Sequence, residues 1–230
     1  PLADFSPCYK TVHLMDNRLL DAVGSTSMVG YFIERWSEDL QRQIILCAFE
    51  ELPKISGYYE EPVFVWSHIM IPHFPLIFGP NGEPITPGKS LLAMNHPEYT
   101  DSGWDVKTQF IQQLQFTNKK SMELINKILE NEKQAIIIIQ SDHGSGFDIN
   151  LQDPVDDDVF QRLSNLNAIY FPDEKHREML TDDRTNVNTF RMVFNSYFGS
   201  DYEMLEDRTY WDLSIKKPFW FKDVTSILLN

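Results

Sequence analysis

Four consecutive isoleucines, Ile136 to Ile139, restrict the fold of this chain more than any other feature. An unbroken β-branched run reads as a short strand buried on both faces, and such strands belong to parallel sheets covered by helices. The run stops at Gln140 and gives way to Ser141-Asp142-His143-Gly144. Ligands of open α/β sheets bind beyond the carboxyl ends of the strands, so a carboxylate and an imidazole stand where chemistry is expected. Both are good ligands for a divalent metal. An Asp-x-Gly turn on the surface would carry the same triplet; the buried strand ahead of it favours a site.

A second apolar stretch, Glu61-Pro-Val-Phe-Val-Trp-Ser-His68, also runs into a polar loop, His68-Ile-Met-Ile-Pro-His73-Phe-Pro. Pro72 and Pro75 stiffen that loop and restrict His73, which makes it the stronger functional candidate of the two histidines. Between the two strands, residues 104–132 carry apolar side chains at helical spacing, including Phe110, Ile111, Leu114, Met122 and Ile125, with a break expected near Thr117. Strand, helix and strand in this order predict a βαβ unit.

The remaining elements are shorter. Thr11-Val-His-Leu-Met15 alternates like a strand. A helix of about two dozen residues is predicted to follow Ser25–Ser27 and to end at Pro53, with Leu40, Ile44, Cys47 and Ala48 on its inward stripe. His13 reads as a core or edge histidine, and His96 and His176 as exposed ones. Asn150 to Asp158 reads as a solvated acidic loop, lacking the ligand alternation of an EF-hand. Leu166 to Phe171 predicts a third strand. Residues 186–198 predict a helix with Val187, Phe190, Val193, Phe194 and Tyr197 inward and Gly199 as its stop.

Composition limits the function classes. The 230 residues are 42% hydrophobic and 13% aromatic, enough for one α/β domain spanning 1–230. A net charge of −14 argues against nucleic acid as a partner. No apolar run approaches the roughly 20 residues of a membrane span. Two cysteines, Cys8 and Cys47, are too few for a disulfide scaffold; a buried free thiol is expected at Cys47, with one disulfide as the alternative. A chain that opens on Pro1 reads as a processed or truncated piece.

A strand leading to His-x3-Pro-His-x-Pro-x-x-Phe, a long helix, and a strand ending in Ser-Asp-His-Gly resemble the downstream part of a sulfatase-like domain of the alkaline phosphatase superfamily. The subset it is most similar to contains membrane-anchored hydrolases and transferases related to phosphoglycerol transferases and lipoteichoic acid synthases. Asn186-Val-Asn-Thr-Phe-Arg191 and Asp207-Arg-Thr-Tyr210 resemble elements of the same subset. The resemblance covers roughly residues 60 to 210.

It implies an incomplete three-layer α/β sandwich with a mostly parallel central sheet, and metal-assisted attack by a Thr or Ser nucleophile on phosphate or sulfate esters. By position Asp142 and His143 would be metal ligands, with Mn or Zn favoured by the imidazole and Mg or Ca allowed. His73 would assist catalysis and, with His68, bind substrate oxygens. The parent would be membrane-anchored and extracytoplasmic. Two departures stand out: Phe74 occupies a place where related motifs carry proline, and residues 1–60 hold no counterpart of the nucleophile or the other acidic ligand. The chain alone is therefore expected to be inactive. Its partners would be an anionic ester together with the missing upstream half or another copy of the chain. The alternative reading is a non-catalytic binding module.

Overall fold

The computed structural model describes residue 8 and residues 28–85 (side chains from 38 onward), 105–146, 149–151, 153–181, 184–212 and 219–228. The expected strand at 11–15, His13 and His96 lie outside the described residues. The chain divides into two compact units, 1–133 and 134–230.

The first unit is built on helices. Helix α1 spans Met28–Glu51, and a 3-10 segment, Leu52–Tyr58, carries Pro53 in its first turn, where a missing N–H costs nothing. Helix α2 spans Val106–Asn131; Asp105 caps it by accepting from Thr108 N at 3.0 Å. The helix continues unbroken through Thr117, whose hydroxyl donates back to the Gln113 carbonyl at 2.8 Å. Ile45, Phe49, Ile71, Ile77, Phe78 and Phe116 form the core, with the rings of Phe78 and Phe116 at 4.7 Å. Two of the positions expected on the apolar stripe of α2, Ile111 and Met122, are exposed instead.

The second unit follows. Strand β1 is Ile137–Gln140, helix α3 Asp156–Leu163 and strand β2 Asn167–Tyr170. The short helix α4 is Glu174–Arg177, and a 3-10 turn at Asn186–Asn188 leads into α5, Thr189–Tyr197. Strands β3, Tyr210–Asp212, and β4, Phe221–Asp223, precede α6, Thr225–Leu228. Val159, Trp211 and Val224 form a core with Leu163 and Ile227 packed against it. Gly199 stops α5 in the left-handed region, at φ +67°, as the sequence predicts.

The three-layer sandwich around a mostly parallel sheet is overturned. Among the described residues there are two sheets, each of two antiparallel strands: β1 with β2, and β3 with β4. Ile137 faces Tyr170 and Gln140 faces Asn167. Residues 61–68, the expected partner strand, lie outside any ladder, with Phe64 79% and Trp66 76% exposed. A β-branched run specifies a strand but not its neighbour, and here the nearer segment in sequence, 167–170, takes the pairing.

Three further expectations change. Asp156, Asp157 and Asp158 open α3, where negative charge suits the helix N-terminus, and Asp158 accepts from Val155 N at 3.0 Å. The 3-10 turn and α5 bury Val193 as expected, but with Asn188, Thr189 and Met192 beside it, and leave Val187, Phe190 and Phe194 exposed. Cys47 is not free but bonded to Cys8.

His176 is also not the exposed residue expected: its Nδ1 lies 2.6 Å from Asp173 Oδ1, and Tyr197 donates its hydroxyl to Asp173 Oδ2 at 2.5 Å. The Tyr197 hydrogen bond, and then that of His176, hold the Asp173 carboxyl below the usual range, while burial and the same carboxylate push the Tyr197 phenol up. A depressed carboxyl contributes stability that is full above the ordinary aspartate range and fades as the pH falls toward the folded value. Wild type should therefore lose more urea resistance than Asp173→Asn as the pH drops below about 4. The disulfide closes a sequence separation of 39 residues. Reduction should lower stability by up to about 4 kcal/mol, read from urea unfolding with and without dithiothreitol alongside a thiol count.

Candidate functional site

Ser141-Asp142-His143-Gly144 leaves the end of β1 and is pinned at both of its outer residues. Ser141 N donates to Leu166 O at 2.9 Å, Leu166 N returns a bond to Ser141 Oγ at 2.8 Å, and Asn165 Nδ2 donates to Ser141 O at 3.0 Å. Gly144 N donates to Arg162 O at 2.6 Å, satisfying a carbonyl that the end of α3 would otherwise leave open. A Cβ at Gly144 would meet Gln161 O at 2.2 Å and Ser164 O at 2.8 Å, so only glycine lets the two backbones approach this closely.

The two inner residues are presented outward. The Asp142 side chain is 87% exposed and that of His143 34%. Asp142 Oδ1 accepts from His143 N at 3.0 Å, and Asp142 Oδ2 lies 3.6 Å from His143 Nε2. His143 Nδ1 lies 2.7 Å from Gly144 O. A carbonyl oxygen only accepts, so Nδ1 carries a proton, and Nε2 is the ring nitrogen left on the side of Asp142 Oδ2. Backbone support of one ring nitrogen is how metal-binding histidines are oriented. Two ligands about 2.1 Å from one cation at a tetrahedral angle stand about 3.4 Å apart, so the Nε2–Oδ2 spacing fits a shared ion. Two ligands do not close a site, and among the described residues no group of three or more His, Cys, Asp and Glu side chains is arranged to hold a metal.

His68 and His73 belong to the first unit, whereas Asp142 and His143 belong to the second. His68 is exposed in the extended segment, its ring centroid 6.2 Å from that of Trp66. His73 is exposed too, with Nδ1 2.8 Å from Phe74 O, so its proton is placed as in His143. The loop bearing His73 is held by Gln113, which is fully buried. Gln113 Oε1 accepts from Ile77 N and Phe78 N at 2.9 and 3.1 Å. Its Nε2 lies within 3.1 to 3.3 Å of the carbonyls of Pro72, His73 and Pro75.

Sequence reading found the two presented residues and missed what fixes them. The signal for Gln113 was an amide three residues from both Phe110 and Phe116, on an apolar helix face. For Ser141 and Gly144 it was their place on either side of Asp142-His143.

No family model matches the sequence, and comparisons with curated proteins and with solved structures give no match. Among the described residues no helix is long and apolar enough to cross a membrane.

The anchoring makes a prediction. Gly144→Ala drives a methyl group into two carbonyls and should cost about 2–3 kcal/mol in chemical denaturation, whereas Asp142→Ala should cost little.

Proposed function

We propose that this chain contributes part of the site of a hydrolase or transferase acting on phosphate or sulfate esters with a divalent metal, the nucleophile and another acidic ligand being supplied from upstream of it. The single observation that carries this reading is the pair of outward-facing donors, Asp142 Oδ2 and His143 Nε2, 3.6 Å apart on a loop fixed at both ends. Asp142 and His143 would hold the ion, with Mn or Zn favoured over Mg or Ca because one ligand is an imidazole. A divalent cation there supplies positive charge against the transferring group and acidifies the attacking hydroxyl. The Gly144 carbonyl fixes the ring of His143, so the donor pair is set before any ligand arrives.

The roles of His73 and His68 toward substrate oxygens rest on the motif resemblance. An extracytoplasmic location draws support from the Cys8–Cys47 disulfide, since such bonds persist in oxidising compartments. The reading of the chain as a non-catalytic binding module is favoured by one observation: among the described residues no third ligand joins the pair.

Hydrolysis of p-nitrophenyl phosphate, p-nitrophenyl sulfate and bis-p-nitrophenyl phosphate by the full-length parent decides between them. His143→Ala and Asp142→Ala should each lower metal-dependent turnover about 100-fold or more, at least what loss of an outer-shell partner costs. Unchanged turnover in either variant would remove the assignment.

A further inference from the structure

The second unit holds a cleft of about 370 Å³ that the metal pair does not use. It falls within the size range of small-molecule sites. Helix α5 forms one wall with Asn188, Met192 and Asn195, which recur at helical spacing on one face. The facing wall is the extended segment through Met204, Leu205 and Asp207. Met179, Thr181 and Arg184 complete the lining.

The polar groups of the two walls are spent on each other. Asn188 Nδ2 donates to Leu205 O at 2.8 Å and its Oδ1 accepts from Leu205 N at 2.9 Å. Asn195 repeats the arrangement with Tyr202, donating to its carbonyl and accepting from its N–H, both at 2.8 Å. Two asparagines seven residues apart thus clip an extended strand along the helix as a β-partner would. Asp207 Oδ1 takes the N–H and hydroxyl of Thr185 at 2.8 and 2.7 Å, and Oδ2 takes Asn188 Nδ2 at 3.3 Å.

Arg184 is different. Its Nε donates to Thr181 Oγ1 at 3.2 Å and its Nη1 reaches Met192 Sδ at 3.4 Å, a weak acceptor. Among the described residues it forms no ion pair with a carboxylate, although Asp207 lines the same cleft and the chain carries 34 acids against 20 basic residues. A guanidinium has five donors, so three remain for a ligand. The apolar lining open to a ligand is Met179, Met204 and Leu205, each exposed, and thioethers adapt to varied apolar shapes.

We infer that this cleft binds a small organic anion with an apolar body, its carboxylate, sulfate or phosphate on Arg184 and its carbon chain along the methionines. The site is separate from the Asp142–His143 pair and stands whether or not that pair holds a metal.

The test is calorimetric titration of the whole chain with octyl phosphate below its micellar concentration. Octyl glucoside serves as the uncharged control and inorganic phosphate as the control without a tail. Saturable one-to-one binding of octyl phosphate is expected, about tenfold or more tighter than either control, since a charge-assisted hydrogen bond contributes that much. Arg184→Gln should bring octyl phosphate down to the level of octyl glucoside. Met204→Glu, at a half-exposed position, should weaken octyl phosphate by a similar factor, with circular dichroism showing that both variants keep the fold. The double variant Asp142→Asn, His143→Gln should bind as wild type does. Equal binding of octyl phosphate and octyl glucoside, retained affinity in Arg184→Gln, no saturable binding, or loss only in the Asp142–His143 double variant would each overturn the proposal.

Discussion

A buried peptide group must find a hydrogen-bond partner, and the described residues include few strands to provide one. With only four strands of three or four residues among the described residues, the ladders cover little of the backbone. Side-chain amides take their place. Gln113 serves five backbone groups between residues 72 and 78, Asn188 and Asn195 each serve a donor and an acceptor of the 202–205 segment, and Asn165 holds Ser141. Asn131 closes the end of α2 onto Pro53 O in the same way. The loops that carry His73 and Asp142-His143 are positioned by such amides, so their geometry depends on polar residues with no chemistry of their own. An amide suits this task because it offers both donor and acceptor and carries no charge to desolvate.

The Ser-Asp-His-Gly loop shows how four residues divide between holding and presenting. Ser141 continues the pairing of β1 with the segment leading into β2, and Gly144 abuts the carboxyl end of α3. Between two fixed points separated by two residues, the intervening backbone has little freedom. Asp142 and His143 therefore have their donor spacing set by backbone constraint, and the ordering entropy of the loop is met in folding and not on ligand binding.

Element type was legible where periodicity ran long. The two long helices were visible in the spacing of Leu40 and Cys47 and of Phe110 and Leu114, and the stop of α5 was visible in Gly199. Strand pairing was not legible. Ile136–Ile139 and Pro62–Trp66 have the same apolar character, yet one enters a ladder and the other stays exposed outside it. Pairing is a property of two segments, and a pattern read along one of them cannot name the other. The inward face of α5 was legible at Val193 but not at Phe190 and Phe194: their aromatic stripe outweighs Asn188 and Met192 in hydrophobicity, but the amide clips require Asn188 and Asn195 to face the 202–205 segment. Hydrogen-bond demand overrode the apolar pattern. Asp142 and His143 were legible because reactive side chains followed by glycine at the end of a β-branched run are a local pattern, whereas their supports, Asn165 and Arg162, come from elsewhere in the sequence.

Electrostatics places a further condition on the proposed chemistry. The chain carries a net charge of −14, and Asp142, almost wholly exposed, adds its own field at the place where an anionic ester would approach. The Gly144 carbonyl beside His143 Nδ1 does not offset that charge. Repulsion between two like charges at 4 Å is about 1 kcal/mol in bulk water and several times that near a protein surface. Phosphate or sulfate at this loop is thus disfavoured while the carboxylate stands uncompensated. On the proposed reading, affinity for the ester and occupancy by the cation must rise together. The same reasoning separates the Asp142–His143 loop from the cleft, because Arg184 brings a positive charge of its own, and the Asp207 carboxylate, which keeps its charge, is turned to Thr185 and Asn188 by their hydrogen bonds. An organic anion there needs no metal, so chelation should abolish anion binding at one place and leave it intact at the other.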